Sequence, residues 1–369
     1  MIKIAFVINY ISNNGPSNVV RDVIKNLDHE TYSISLITLF NGNDSAIVQN
    51  LIGQGVTVYE CKKLSRGRCL LGDDKEFREI ISRGTFNIIH THGFVPDILS
   101  SRLKTSAKRI STLHNNMFED YLQTYGRLKA KIFVKLHFEA LKKMECCVGC
   151  SESVYRVMRK YLQNVTYVRN GIKPKIAKHT VERVELNIPD DAVVFVYSGN
   201  LTPRKNVQFL ISKFVQHHNK VEYLLLIGDG SERKACEQLA DDHVILLGFQ
   251  DDPAAFYNIS DFYVSASRSE GFSISVLEAM SCGLGLFLSD IPSHREVISE
   301  EKEIYLGEYF SITDDGQSFK EKLIILRENY MTVDKKVIEA FQQHYLSDIA
   351  MTYGYKKIYQ KATTTDMET

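Results

Sequence analysis

The sequence lacks an excess of either charge, and this excludes one broad class of function. Its 369 residues include 45 Lys and Arg and 45 Asp and Glu, which gives a formal net charge of zero. Proteins that bind nucleic acid through bulk electrostatics carry a surplus of basic side chains that neutralise phosphates. We therefore expect no nucleic acid among the partners of this protein.

Long hydrophobic runs are also missing. No apolar run in the sequence approaches the ~20 residues that a membrane-spanning helix needs. The stretch Met1–Asn9 is too short for a signal peptide and leads directly into a turn. With 44% hydrophobic and 24% charged residues, the composition is that of a soluble globular protein. We expect a cytoplasmic protein.

The seven cysteines are odd in number and lack the spacing of a disulfide framework. Free thiols fit a reducing compartment. The segment Cys146–Cys150 contains a C-x-x-C pattern, which can mark a metal or redox site, but no second cysteine pair or histidine pair accompanies it. We interpret these cysteines as part of a short buried strand.

Apolar runs of strand length alternate with helical patterns along the chain, as in parallel sheets with crossover helices. The length suits two domains of ~150–200 residues each. Residues 173–191 interrupt the alternation, because they are charged, contain Pro174 and Pro189, and have no firm period. We predict two doubly wound Rossmann-like domains, at 1–172 and 192–340, with a linker between them.

The most informative stretch is Ser269–Met280, in which Glu270 and Glu278 stand in the spacing E-x7-E. The run Phe262–Ala266 before it predicts a buried strand, and the run after it predicts a helix that ends at Gly283. Ligands bind at this edge of open α/β sheets, where a helix N-terminus offers N–H groups to a phosphate. The two carboxylates can accept hydrogen bonds from sugar hydroxyls on either side of such a phosphate. A nucleotide sugar, with a sugar on each side of its diphosphate, fits this arrangement. An ordinary strand–turn–helix with solvated glutamates is the alternative.

The stretch, which reads SEGFSISVLEAMSCG, resembles the signature of family-4 retaining glycosyltransferases with the GT-B fold. The resemblance implies two Rossmann-like domains that face each other across a cleft. It also implies a C-terminal helix that crosses back to the first domain, which we place at 341–361. The implied reaction moves a hexose from a nucleotide diphosphate sugar to a glycan or lipid-linked acceptor in bacterial surface-polysaccharide biosynthesis.

The resemblance also assigns roles at a donor site. Glu278 would bind the ribose hydroxyls, and Glu270 would hold the transferred sugar. Lys205 aligns with the family's donor-phosphate lysine, whereas Asn200 stands where the usual arginine is expected, so Arg204 would supply the second positive charge. The other residues expected at the donor site are Gly228, Phe249, Gly271, Phe272, Ser273, Ile274, Ser275 and Val276.

The adjacent cations Arg204 and Lys205 also make physical sense as a phosphate site. They precede a predicted helix, where positive charge opposes the helix dipole, and an anionic ligand would remove that penalty. A solvated basic pair is the alternative. Fixed positive groups lower the barrier to departure of a diphosphate, and no convincing Asp-x-Asp metal motif is present. We therefore expect metal-independent catalysis without a cofactor, by front-face attack rather than by double displacement through Glu270.

Three further residues have both a functional and a structural interpretation. The segment His90–Gly93 ends a buried strand and resembles the family segment whose second histidine lies beside the reacting sugar, which indicates His92. His114, after the next strand, is a second acceptor-side candidate, and a structural histidine is the alternative reading. Gly15 resembles the family's N-terminal glycine loop, which faces the donor diphosphate. Its alternative is a βα turn in which glycine supplies an unusual backbone angle.

A basic helix is predicted over Arg127–Lys143, with a stripe formed by Arg127, Lys131, Lys135 and Lys142. It is either a docked helix with a solvated edge or a contact with anionic lipid headgroups or the phosphate of a lipid-linked acceptor. Peripheral contact with the inner membrane face therefore stays open.

Three other functions stay open as well. A sugar-nucleotide epimerase of the same fold would need acid–base carboxylates beyond this pair. A phosphorylase-type enzyme would need a lysine-bound pyridoxal phosphate. A non-catalytic sugar-nucleotide-binding partner of another transferase would bind the donor without turnover, and Asn200 in place of arginine is the reason to consider it.

Overall fold

The computed structural model describes residues 1–297, 305–329 and 334–364, and the chain divides into two compact units. The first unit comprises Met1–Ile172 together with the C-terminal segment that begins at Asp348, and the second comprises Lys173–Ser347. Each unit contains a parallel sheet with helices in the connections between its strands. This is the doubly wound α/β architecture that the sequence predicts.

The first unit is built on a parallel sheet. Its strands are β1 (Ile2–Ile8), β2 (Tyr32–Thr38), β3 (Thr57–Glu60), β4 (Ile88–His92), β5 (Lys108–Leu113), β6 (Cys146–Gly149) and β7 (Val165–Tyr167). The helices between them are α1 (Gly15–Asn26), α2 (Ser45–Gly53), α3 (Arg66–Leu70), α4 (Lys75–Gly84), α5 (Phe94–Ser101), α6 (Met117–Leu141) and α7 (Glu152–Met158). In the part of the chain that the structure describes, the sheet order is β3-β2-β1-β4-β5-β6-β7.

The strand order of this sheet reverses between β1 and β4. Ile8 at the end of β1 pairs with His92 at the end of β4, and all residues of β4 are buried. Strands covered on both faces need such continuous burial. Because open α/β sheets bind ligands at the carboxyl ends where the order reverses, His92 lies at the edge expected for a site.

The second unit repeats the plan with a different sheet. Its strands are β8 (Val193–Ser198), β9 (Glu222–Ile227), β10 (Val244–Gly248), β11 (Phe262–Ser265), β12 (Gly285–Ser289) and β13 (Gly307–Phe310). Its helices are α8 (Val207–His217), α9 (Arg233–Leu239), α10 (Pro253–Tyr257), α11 (Ile274–Ser281), α12 (Pro292–Arg295), α13 (Gln317–Glu328) and α14 (Lys335–Tyr345), with a short 3-10 helix at Arg183–Leu186. Among the described residues the sheet order is β10-β9-β8-β11-β12-β13.

This second sheet reverses its order between β8 and β11, where Phe195 pairs with Phe262. Phe195 also packs edge-on against Phe214 of α8, with ring centroids 5.6 Å apart. On the other side of the reversal, Phe287 of β12 contacts Phe319 of α13 at 4.9 Å. This aromatic core fixes the helices on the sheet and leaves the loops after β8 and β11 together at the carboxyl edge.

The predicted crossing helix is present in the first unit as α15 (Asp348–Thr364), where it packs on α1. The sequence predicts it over 341–361, but residues 341–345 belong to α14, which packs on α11 in the second unit. Helix α14 ends at its C-cap residue Leu346, whose backbone angles (φ −128°, ψ 30°) are not helical, so α14 and α15 are separate helices.

Buried hydrogen bonds attach α15 to the first sheet. The Tyr359 hydroxyl lies 2.8 Å from His90 Nδ1, and the Tyr355 hydroxyl lies 2.9 Å from Thr112 Oγ1. His90 Nε2 also bonds Thr112 Oγ1 at 2.8 Å. Both nitrogens of His90 are therefore occupied, and His90 connects the C-terminal helix to the sheet.

Residues 173–191, which the sequence predicts as a linker, form part of the second unit. The backbone N–H of Lys178 donates to Asp252 Oδ2 at 2.5 Å. The Arg183 guanidinium donates to the Ile259 carbonyl and to Asp261 Oδ2, each at 3.0 Å. The polar groups that suggest a solvated linker are thus bonded within this unit.

Two further observations concern the cysteines and membrane spans. None of the seven cysteines, all of which lie in the described residues, forms a disulfide, and Cys147 and Cys150 are buried around β6, as expected for core thiols. In the ranges that the structure describes, no helix combines the length and the apolar character needed to cross a membrane.

The bond between α15 and His90 gives a test of this packing. Tyr359→Phe should lower the free energy of unfolding by about 1–3 kcal/mol, because it leaves a buried imidazole nitrogen without its partner. Chemical denaturation would measure the loss. Tyr353→Phe, on an exposed position of the same helix, is the matched control, and equal stabilities of the two variants would contradict the assignment.

Candidate active site

The loops that form the site edge of the second unit approach each other through their backbones. Gly228 follows β9 with φ +134°, and a Cβ there would lie 2.0 Å from the carbonyl oxygen of Gly199. The Leu201 N–H donates to the Asp229 carbonyl at 2.9 Å. Gly228 is therefore required for close packing of the loops after β8 and β9, whatever further part it has in ligand binding.

Glu270 is the centre of a charged cluster at this edge. Its side chain is 7% exposed and accepts hydrogen bonds from Arg204 Nη1 at 2.8 Å, from Lys205 Nζ at 2.5 Å and from Ser267 Oγ at 2.8 Å. Arg204 Nη1 also donates to the Ser269 carbonyl at 2.7 Å. The structure thus brings together three residues that the sequence predicts for the site, and it joins the loop after β8 to the loop after β11.

The electrostatics of this cluster keep Glu270 ionised. Burial alone would raise the pKa of Glu270, but the charges of Lys205 and Arg204 outweigh it and hold that pKa well below its usual range. Two cations share one carboxylate, so the cluster has a net positive charge. The alternative of a solvated basic pair is thereby excluded.

Asn200, which stands where the family's arginine is expected, is exposed. Its backbone carbonyl accepts a hydrogen bond from the buried Tyr197 hydroxyl at 3.1 Å. The second cation beside Lys205 at Glu270 is Arg204, and its contact with a donor phosphate stays a prediction.

His294 was not predicted, although it belongs to the same region. It is fully buried in α12, and its Nδ1 lies 2.9 Å from the Ser289 carbonyl. Burial lowers its pKa to about 4, although the charge of Glu270 acts in the opposite direction. Its Nε2, like Ser269 Oγ, is buried and has no hydrogen-bond partner among the described residues. A lone histidine after a strand gives no sequence signal for this position.

The second signature glutamate lies on α11. The Glu278 side chain is 14% exposed, and its Oε1 lies 3.0 Å from Lys175 Nζ. Ser273 is the N-cap residue of α11, but its side chain makes no capping hydrogen bond. Of the other residues predicted along this stretch, Phe272 and Val276 are buried, Gly271 is also buried, and Ile274 and Ser275 are partly exposed.

Phe249, predicted beside the nucleotide base, follows β10 with a side chain that is 68% exposed. Gly248 before it has φ +69°, a left-handed conformation that favours glycine. The structure places both residues at the carboxyl end of the second sheet, away from the hydrogen bonds of the Glu270 cluster.

In the first unit the predicted histidines contact each other. His92 Nδ1 lies 2.9 Å from His114 Nε2, and burial, with His90 and His114 nearby, lowers the pKa of His92 well below its usual value. Two neutral imidazoles share one N–H in such a bond. His92 Nε2 is buried and finds no hydrogen-bond partner in the described part of the chain, and an acceptor-side role for His92 stays a prediction.

The structure tests one of the two alternatives for Gly15. It is the first residue of α1, after Asn14, whose side chain caps the helix by accepting from the Ser17 N–H at 3.0 Å. Gly15 is not among the glycines with positive φ in the described residues. The alternative, a turn in which Gly15 supplies an unusual backbone angle, is therefore wrong, and a donor contact by Gly15 stays a prediction.

Comparison with known proteins addresses the family. The model described as Glycosyltransferase Family 4 matches residues 13–175, and the model described as Glycosyl transferases group 1 matches residues 178–343. The chain belongs to the family-4 glycosyltransferases and has the GT-B fold.

Two Escherichia coli relatives cover most of this glycosyltransferase. The O-antigen biosynthesis glycosyltransferase WclY is 26% identical over 97% of this chain and 98% of its own length. The UDP-Gal:alpha-D-GlcNAc-diphosphoundecaprenol alpha-1,3-galactosyltransferase is 22% identical over 88% of this chain and 87% of its own length.

Solved structures show the same fold. Sucrose-phosphate synthase from Thermosynechococcus elongatus aligns with a TM-score of 0.79 and 17% identity, over 99% of this chain and 100% of that chain. Anabaena HepE in complex with UDP-glucose aligns with a TM-score of 0.80 and 14% identity, over 98% of this chain and 100% of that chain.

The buried His294 of this glycosyltransferase predicts a pH dependence of the unfolding free energy. Because the folded pKa of His294 is about 4 and that of an unfolded histidine is about 6.5, the unfolded chain binds more protons between these values. The stability from neutral His294 is present above about pH 6.5 and is lost as the pH falls toward 4. Between about pH 6 and 5, the unfolding free energy of His294→Asn should fall less steeply with decreasing pH than that of the wild type. The difference between the two slopes should be roughly 1 kcal/mol per pH unit.

Urea denaturation at a series of pH values would measure these slopes. The exposed His344 is the matched control, and His344→Asn should keep the wild-type slope. An unchanged slope in His294→Asn would contradict the buried neutral state.

Proposed function

We propose that this glycosyltransferase moves a hexose, with retention of configuration, from a nucleotide diphosphate sugar to a glycan or lipid-linked acceptor in surface-polysaccharide biosynthesis. The observation that carries the proposal is the pair of cations, Arg204 and Lys205, on the buried carboxylate of Glu270. The cluster combines an acceptor for sugar hydroxyls with fixed positive charge for phosphate. It lies at the carboxyl edge of a parallel sheet, where such ligands bind.

Departure of the diphosphate is the demanding step, because negative charge develops on the leaving oxygen. Arg204 and Lys205 are already held in place by Glu270, so little reorganisation accompanies that charge. Ammonium and guanidinium groups each have several donors, and both can contact a phosphate while they stay bonded to the carboxylate. With this positive charge built in, the proposed reaction needs no metal ion.

For retention we favour front-face attack. The acceptor oxygen bonds the anomeric carbon from the side of the leaving group, the carbon–oxygen bond to the diphosphate breaks, and a phosphate oxygen takes the acceptor proton. The alternative, double displacement, needs Glu270 as a nucleophile. Three side chains bond this carboxylate and its pKa is low, both of which weaken it as a nucleophile.

The relatives support the choice of donor and acceptor. HepE is solved with UDP-glucose, and the name of the E. coli galactosyltransferase gives a UDP-sugar donor and a lipid-linked acceptor. WclY is named for O-antigen biosynthesis. A uridine diphosphate hexose is therefore the first donor to test, and His92 and His114 of the first unit are the proposed acceptor-side residues.

A non-catalytic role rests on Asn200 in place of the usual arginine. Since Arg204 provides the second cation at Glu270, that substitution gives no strong reason to expect a loss of turnover. We therefore favour an active enzyme.

The test of the function separates the two glutamates. Glu278→Gln should weaken binding of both UDP and the intact UDP-hexose, by about 3- to 30-fold, because a carboxylate–hydroxyl bond is stronger than the neutral bond that replaces it. Glu270→Gln should leave UDP affinity within about threefold while sugar transfer falls by roughly 10²-fold or more. Calorimetric titration and a transfer assay would measure the two effects.

Glu237→Gln, on an exposed position of α9, is the control for both assays. Undiminished transfer by Glu270→Gln would remove Glu270 from the site. The absence of binding to UDP, GDP, ADP and dTDP by the wild-type protein would contradict the proposed reaction as a whole.

A lipid-linked acceptor would bring the enzyme to a membrane surface, and α6 has the features for such a contact. Its backbone breaks at Gly126 (φ +73°), and the following residues present an apolar ridge. The ridge consists of Leu128, Ile132 and Leu136, with 78%, 55% and 43% exposure. At this i, i+4 spacing the three side chains lie on one face of the helix.

Basic residues border the ridge. Arg127, Lys131 and Lys135 each precede one of the ridge residues and are exposed, whereas Lys142 is paired with Glu139 at 2.8 Å. The other side of the helix is fixed by a buried bond of 2.7 Å between His137 Nε2 and Asp97. Exposed apolar side chains beside cations fit an anionic phospholipid bilayer, and we propose peripheral contact with such a membrane through this face.

Vesicle binding would test the contact. The protein should sediment with phosphatidylglycerol vesicles more than with phosphatidylcholine vesicles, and less at high salt. Ile132→Ser should weaken this binding several-fold, since it removes buried apolar area. Leu71→Ser, at an exposed apolar position outside α6, is the control. Equal binding to both vesicle types, or equal effects of the two substitutions, would contradict the proposed membrane contact.

A further inference from the structure

The segment that opens the second unit is fastened to the C-terminal end of α11. The Lys175 N–H donates to Ser281 Oγ at 3.1 Å, and the Lys175 carbonyl accepts from Cys282 Sγ at 3.9 Å. Ser281 Oγ in turn donates to the Glu278 carbonyl at 2.7 Å. The backbone of Lys175 is therefore fixed one helical turn beyond Glu278.

From this position the Lys175 side chain reaches the second signature glutamate. Its Nζ lies 3.0 Å from Glu278 Oε1, with 45% of the lysine side chain and 14% of the glutamate side chain exposed. Within the described residues, no other basic side chain is within 4.0 Å of this carboxylate. The pair occupies Oε1, which leaves Oε2 as an acceptor.

The two signature glutamates therefore have separate cations. Glu270 is bonded by the cations of the β8 loop, whereas Glu278 is paired with a lysine from the segment that sequence patterns suggest is a linker. A carboxylate with little exposure is costly to keep charged without a partner. Lys175 supplies such a partner and fixes the position of one carboxylate oxygen.

We propose that Lys175 is a positioning residue of the nucleotide site. Its ammonium holds Oε1 of Glu278 and so orients the carboxylate to present Oε2 to the ribose hydroxyls of the donor. This inference rests on the proposed function, in which Glu278 binds ribose. Lys175 acts through Glu278 and needs no contact with the nucleotide.

The experiment measures the dissociation constant of UDP for variants of the full-length chain. Lys175→Met should weaken UDP binding about 5- to 10-fold, whereas Lys175→Arg, which keeps the charge, should bind within about twofold of wild type. Lys173→Met removes a neighbouring exposed charge and is the matched control, with wild-type affinity expected. Thermal unfolding of each variant would show that it is folded.

Two readouts separate positioning from a merely structural role. In a Glu278→Gln background, Lys175→Met should change UDP affinity by less than about twofold, because the group it positions is gone. With 2′,3′-dideoxyuridine diphosphate, which lacks the ribose hydroxyls, wild type and Lys175→Met should bind equally.

The possible failures are distinguishable. If the wild-type protein binds UDP and Lys175→Met binds it as tightly or more tightly, Lys175 does not position Glu278 and the proposed function still stands. An equal loss in the Glu278→Gln background, or with the dideoxy nucleotide, would likewise overturn the role of Lys175. If the wild-type protein binds none of UDP, GDP, ADP and dTDP, both the proposed function and this role of Lys175 are wrong.

Discussion

The arrangement of the candidate site depends on one buried carboxylate between two cations. Removal of charges from water is costly by several kcal/mol per ion unless pairing and hydrogen bonds compensate, and Glu270 has both through Arg204, Lys205 and Ser267. Because these partners come from different loops, the loops after β8 and β11 cannot separate without leaving a buried charge unpaired. The positive groups are therefore in place before a ligand arrives, which is the condition for strong electrostatic stabilisation of a leaving group.

Much of the fold could be predicted because parallel strands that are buried on both faces leave continuous apolar runs in the sequence. The run Phe262–Ala266, which predicts a buried strand, contains β11 (Phe262–Ser265), and the loop after β11 carries Glu270. The strand β13 (Gly307–Phe310) could not be predicted, since a short run with Gly307 and Glu308 carries little strand signal. Helix α6 begins ten residues before its predicted start, at Met117 rather than Arg127, because the break at Gly126 divides its periodicity.

What could not be predicted depends on contacts between residues far apart in the sequence. His90 belongs to the same sequence segment as the predicted site residue His92. Its two ring nitrogens nevertheless bond Thr112 and Tyr359, and Tyr359 lies 269 positions away in the sequence. The segment 173–191 has the composition of a linker, but its charged and polar groups find partners around α10 and α11. Local patterns report the polarity of a segment and cannot report whether that polarity is satisfied by water or by the protein.

A departure from a family motif can be compatible with the chemistry of that motif when another residue supplies the missing charge. A comparison position by position counts Asn200 as the loss of a cation. The carboxylate at the site responds to charge within a few ångströms and not to sequence register, and Arg204 supplies that charge from four residues further along the loop. Glu278 shows the principle over a longer separation, because its cation comes from Lys175, 103 residues earlier in the chain. Since each signature glutamate is paired with a cation from another segment, the E-x7-E motif describes only the acidic half of the site, and the basic half has to be found in the folded structure.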